Sequence, residues 1–129
     1  ARSYCRNFSM DIGQPASFEE KDAHPSAVEV LLAALSGDLA VAFSSACAQG
    51  GLDVDDVEVT ARGRLVNVLA HLGLEDGDPG FASIEVKAYA STMDDEAAVR
   101  RLWEQTVGRS PLAQTLRKAT KLTIKLLLV

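Results

Sequence analysis

Thiols and imidazoles are scarce in this sequence, which holds two cysteines, Cys5 and Cys47, and two histidines, His24 and His71, among 129 residues. The cysteines stand far apart with no CxxC spacing, which excludes a disulfide framework and a cysteine-built metal site. Two histidines cannot furnish the ligand set of a zinc or di-iron centre, so no metal and no cofactor is expected. Positive charge is also in short supply. Thirteen Lys and Arg against 18 Asp and Glu leave a formal net charge of -5. No basic cluster stands out along the chain, so neither nucleic acid nor an anionic membrane is expected as a partner. The longest apolar run is broken by Asp38 and by several Ser and Gly, and the chain opens with no charged-then-apolar leader. A cytoplasmic protein is expected. Linkers, repeats and low-complexity segments are missing too, so a chain that is 47% hydrophobic should fold as one domain over 1–129.

What is present is a clear succession of periodicities. From Tyr4 to Ile12, Phe8, Met10 and Ile12 alternate with polar residues, the period of a half-buried strand. "GQPASFEEKDAHP" reads as loop. Ala27 to Gln49 reads as a long helix, apolar nearly all round, that ends at Gly50-Gly51. Val57, Val59, Ala61, Gly63 and Leu65 alternate with Glu58, Thr60, Arg62 and Arg64. After the turn-rich "EDGDPG", Ile84, Val86, Ala88 and Ala90 do likewise, and the two strands should pair as a hairpin. Thr92 or Asp94 can cap a second helix whose packed face is Val99, Leu102, Trp103 and Thr106, with Gly108 at its end. Ser110-Pro111 starts a short helix, and "KLTIKLLLV" is a last strand. Amphipathic strands in this order predict an α+β fold with antiparallel sheet. The long helix carries more apolar faces than one small sheet can cover, so a second helix layer or a second subunit must cover it.

Asp38 is the anomaly. It sits at the centre of that helix, and an unpaired carboxylate withdrawn from water costs on the order of several kcal/mol. It must be paired, half wet, or a relic. The same helical face carries Ala34, Ala42 and Ser45, small residues that admit either a neighbouring backbone or a small molecule.

Three stretches together carry a resemblance: "HPSAVEVLLAALSGDLAVAF", "GGLDVDDVEVTARGRL" and "GRSPLAQTL". They resemble the OsmC/Ohr family of osmotically inducible and organic hydroperoxide resistance proteins, over about Phe8 to Val129. The resemblance implies antiparallel sheets packed on a long central helix, in an intertwined homodimer that reduces peroxides with two cysteines per chain. The first family cysteine falls where this chain has Asp38, the second where it has Ser110. A carboxylate and a hydroxyl can supply neither the thiolate nor the resolving thiol that such chemistry needs. Cys47, nine residues beyond Asp38 at about 100° per residue, falls on the opposite helical face and cannot inherit the site. Cys5 lies in the region that resembles the family's N-terminal sheet, from which an Arg helps to activate the peroxidatic thiol, and Arg2 and Arg6 are nearby.

Structural readings stand beside these. Ser110 is explained as a helix cap, and Glu29, which resembles a helix-start Glu of the family, as a partner of the helix dipole. Cys47 and Trp103 read as core, and His24 as a solvated loop residue that could reach a site mouth. Asp38 is expected in a small cavity by the Ser110 helix start, at a subunit boundary, with the amides of residues 112 and 113 as donors. If no donor reaches it, desolvation would raise its pKa and make it an acid or base. Three functions follow: a homodimeric binding or regulatory protein without peroxidase chemistry, with room for a small apolar ligand at the dimer interface; an enzyme of changed chemistry using Asp38; or a residual hydroperoxide reductase using Cys5.

Overall fold

A computed structural model describes residues 1–14 and 24–129. The expected loop is described at its two ends, and its part over 15–23 lies outside the described residues. The chain begins with strands β1 (Arg2–Cys5) and β2 (Phe8–Asp11), which pair antiparallel with Cys5 opposite Phe8 and Arg2 opposite Asp11. The single strand expected from Tyr4 to Ile12 is therefore a hairpin. The chain reverses at Arg6, whose φ is 54°, and the alternation of Phe8 and Met10 belongs to the second strand alone. An ion pair between Arg2 Nε and Asp11 Oδ1 at 2.9 Å closes the open end.

Helix α1 (Ala27–Gln49) begins with a capping box: Ser26 Oγ accepts the Glu29 amide, and the Glu29 carboxylate accepts the Ser26 amide at 2.9 Å. Strand β3 (Val54–Leu65) and strand β4 (Phe81–Thr92) pair antiparallel, as their matching alternation requires. Asp56, at φ 51°, sits in a bulge of β3, and their connection contains a single helical turn, α2 (Val68–His71), capped by Asn67. At Gly63 a Cβ would stand 2.6 Å from the Phe81 ring, so glycine lets that ring lie across the strand.

Helices α3 (Glu96–Arg109) and α4 (Pro111–Ala119) then carry the chain to β5 (Lys121–Leu128). The N-cap of α3 is Asp95 rather than Thr92 or Asp94; Asp94 instead takes the Asp53 amide on its side chain and gives its own amide to Thr92 Oγ1. Strand β5 pairs parallel to β4, so the main sheet, in the order β3-β4-β5, is mixed and adds one parallel pair to the antiparallel pairing that the alternation predicted. The reason is topological: two helices between β4 and β5 give a crossover long enough to bring the chain back to the same end of the sheet. Amphipathic strands fit because the helices cover only one face.

The core lies between that face and the helices. Ile84, Val86, Ala88 and Ala90 of β4 meet Leu35, Leu39, Phe43 and Cys47 of α1 and Val99 and Trp103 of α3. The Phe43 and Trp103 rings meet edge to face, 5.1 Å apart at 84°. By length and composition α1 could cross a bilayer. The buried stripe of Leu35, Leu39, Phe43 and Cys47 marks it as a core helix instead. The rest of its apolar surface is open in the single chain, with Val41 69% and Leu31 37% exposed.

Candidate functional site

Two helix segments build the site. On α1, Leu31, Ala34, Asp38, Ala42, Ser45 and Gln49 recur at three or four residues and so share one stripe along the helix. The junction of α3 and α4 faces the middle of that stripe. Ser110 ends one helix and caps the next, with Pro111 at the first helical position, where a missing amide hydrogen is harmless.

The structure brings Asp38 and Ser110 together. Ser110, 3% exposed, donates its hydroxyl to Asp38 Oδ2 at 2.6 Å, and the same Oγ accepts the Ala113 amide at 3.0 Å. The expected donors are thus corrected in one respect. The amide of residue 113 serves the site, but it aims the Ser110 hydroxyl instead of reaching Asp38 itself. The cap geometry dictates this, because an N-cap oxygen stands between the free amides of the first turn and whatever approaches the helix end. Among the described residues Ser110 is the sole hydrogen-bond partner of the half-buried Asp38.

The pair sits between two concavities. Below it is a cleft of about 230 Å³ lined by Asp38, Ala42, Ser45, Thr106, Arg109 and Ser110, among others. Arg109 makes no ion pair with Asp38. One turn of α1 the other way, Leu31, Ala34, Pro111, Leu112, Thr115 and Leu116 line an apolar groove of about 340 Å³. The small residues at 34, 42 and 45 are what leaves this space. Thr106 was expected on the packed face of its helix and not in the cleft, and Arg109 and Gln49 were not expected at the site, although Arg109 adjoins Ser110 and Gln49 continues the stripe from Asp38.

The other candidates lie elsewhere. Glu29 is spent in the capping box, two and a half turns up the helix from Asp38. Cys47 is 2% exposed in the core, on the side of α1 turned from Asp38, and burial pushes its thiol pKa up. Cys5 is exposed on the β1–β2 hairpin, with Arg6 stacked over Phe8 at 5.5 Å, and lines neither concavity. His24 is exposed and does not line them either. Among the described residues no cluster of His, Cys, Asp or Glu could hold a metal ion.

A three-stranded mixed sheet backed by one long helix, with a cleft where that helix meets a helix start, defines an α+β protein whose candidate site lies on helix faces. Its family follows from comparison. The OsmC-like protein family matches residues 19–125, and the chain belongs to it. No curated protein sequence matches the chain. The fold is similar to that of an OsmC-like protein from Mycoplasma pneumoniae, with a TM-score of 0.79 at 14% identity over 99% of this chain and 87% of that one. It is also similar to the organic hydroperoxide resistance protein OhrB of Bacillus subtilis, at 0.63 and 14% over 98% and 95%. The organic hydroperoxide resistance protein OsmC of Legionella pneumophila gives 0.63 and 12% over 93% and 82%.

Proposed function

We propose that this chain is a homodimeric OsmC-like protein that binds a small, largely apolar ligand and carries out no thiol peroxidase chemistry. The observation that carries the reading is the Asp38–Ser110 hydrogen bond of 2.6 Å at two positions that, by the family resemblance, hold the redox cysteines. A peroxidatic thiol must be a thiolate, and a second thiol must resolve the sulfenic acid it leaves. The cleft contains neither. The thiol of Cys47 is held protonated by burial, within the core.

Dimerisation is supported by the uncovered surface of α1, where Val41 and Leu31 stand open beside alanines. The hairpin supports it too, with Tyr4 72%, Phe8 66% and Met10 50% exposed. Ligand binding is supported by the apolar groove next to Asp38. A second reading, an enzyme of changed chemistry, draws on the oriented pair itself. Ser110, held by the Ala113 amide, would position a substrate while Asp38 moves a proton.

Steady-state assay with cumene hydroperoxide and dithiothreitol tests the proposal. No turnover above the uncatalysed reaction is expected. Robust turnover that Cys5→Ser abolishes would establish a reductase working from the hairpin thiol and remove the reading. Native mass spectrometry of the purified protein reports the dimer and any retained small molecule together.

A further inference from the structure

The chain carries net negative charge, yet one of its faces is positive. Along each strand of the main sheet alternate residues point away from the helices. On that outer face stand Arg62 and Arg64 of β3, Lys87 of β4, and Lys121 and Lys125 of β5, against the carboxylates of Glu58 and Glu85 beside them and of Asp55 at the far end, opposite Ser91. Strand register sets them close: Arg64, Ser83 and Lys121 form one row across the sheet, Arg62, Glu85 and Thr123 the next, and Thr60, Lys87 and Lys125 the third. These five cations are scattered over more than sixty sequence positions, and for that reason no basic cluster is visible in the sequence. Among the described residues a single ion pair is made on this face, Lys87 to Glu85 at 3.1 Å.

We propose that this outer sheet face is a docking surface for a short acidic segment of another polypeptide. The face already shows what it does to a carboxylate. Glu85 lies among three of the cations, and its carboxyl is held below the usual range by the hydrogen bond from Lys87, then by the charge of Lys87, with Lys125 and Arg62 adding to it. A shallow depression of about 360 Å³, lined by Thr60, Arg62, Glu85, Lys87 and Tyr89, gives the segment a seat. Spacing favours an extended peptide. Alternate residues of a strand recur about every 6.7 Å, so carboxylates at alternate positions of an extended chain match Arg62 and Arg64 along β3. Tyr89 and Leu127, paired across β4 and β5 at the next row but with Leu127 40% exposed, offer one apolar foothold beside the cations.

The same charge map argues against nucleic acid. Asp53, Asp55, Asp56, Asp94, Asp95 and Glu96 gather at one end of the β3–β4 pair, and Glu75, Asp76 and Asp78 occupy the connection at the other. A long polyanion running along the sheet would enter one of these acidic ends, since the Asp55–Ser91 row lies four residues, about 13 Å, along β4 from Lys87. A short acidic segment fits between them. One aromatic side chain is also a poor platform for stacking successive bases.

The test is fluorescence anisotropy of the full chain at low ionic strength with fluorescein-labelled octaglutamate, with octalysine, oligo(dT) and phosphatidylserine vesicles as competing probes. Octaglutamate is expected to bind in a salt-sensitive manner and octalysine not at all. Arg62→Glu with Lys125→Glu should weaken octaglutamate by about tenfold or more, a change of about 1.4 kcal/mol. Both side chains are exposed, and unchanged thermal unfolding of the double variant checks that the fold is intact. Arg101→Glu, on the exposed side of α3, serves as a charge control that should leave binding unaltered. The proposal is overturned by absence of octaglutamate binding, by equal loss in the control, or by tighter binding of oligo(dT) or vesicles, which would assign the face to those partners.

Discussion

Helix α1 has two sides of similar composition and opposite fates. Leu35, Leu39, Phe43 and Cys47 are between 0% and 2% exposed, whereas Leu31, Ala34, Val41 and Ala42 on the same helix face outward from the single chain. Apolarity does not separate them. What separates them is where the sheet and α3 happen to lie. The comparison teaches that a side chain's burial here is a property of the assembly around it, and that Asp38, on the outward side, borrows its environment from the Ser110 helix start.

The contrast breaks most visibly at Phe43. Phe43→Ala should cost about 3–5 kcal/mol in urea unfolding, since it empties a packed site and removes the edge-to-face contact with Trp103. If Val41 is truly solvent-exposed in solution, Val41→Asp should change stability by about 0.5 kcal/mol or less. If a second subunit covers it, the same substitution should shift the dimer to monomer in sedimentation velocity, by about 3 kcal/mol or more of association energy. A wild-type chain that sediments as a monomer at every concentration removes the dimer.

Smaller effects sharpen the description of the site. Ser110→Ala should cost about 2 kcal/mol by calorimetry, because it removes both the cap of α4 and the donor to Asp38. Asp38→Asn keeps an acceptor for Ser110 and should cost about 1 kcal/mol. Should Asp38→Asn leave stability unchanged but abolish retention of a bound molecule, Asp38 belongs to the ligand. Should it lower stability and spare retention, the residue is structural. At the bottom of the scale is chemical labelling: iodoacetamide at neutral pH should modify Cys5 in the folded protein and reach Cys47 after unfolding, because burial both shields that thiol and raises its pKa.

Much of this was legible beforehand, for identifiable reasons. The alternation in β3 and β4, the Ser110-Pro111 helix start and the core face of α3 follow from local periodicity and capping, which need no partner to be read. The Ser26–Glu29 capping box is equally local, in "SAVE"; the expectation placed Glu29 at the helix start as a partner of the dipole, and the structure adds its reciprocal bond with Ser26. The hairpin at Arg6 was not legible, since its turn lacks the Gly or Asn-Gly that signals one and rests on Arg6 in a left-handed conformation.

The sequence by itself determined the elements, the uniformly apolar character of α1, the absence of a thiol from the Asp38 position and the Ser110 cap. Each of these depends on residues a few positions apart or on residue identity alone. Tertiary structure decided the parallel pairing of β5, the 2.6 Å bond from Ser110 to Asp38 across 72 residues of chain, and the collection of five dispersed cations on one sheet face. Those depend on which strand edges and helix ends meet in space, and that is set by the packing of the whole core, a sum over many weak contacts that no local pattern contains.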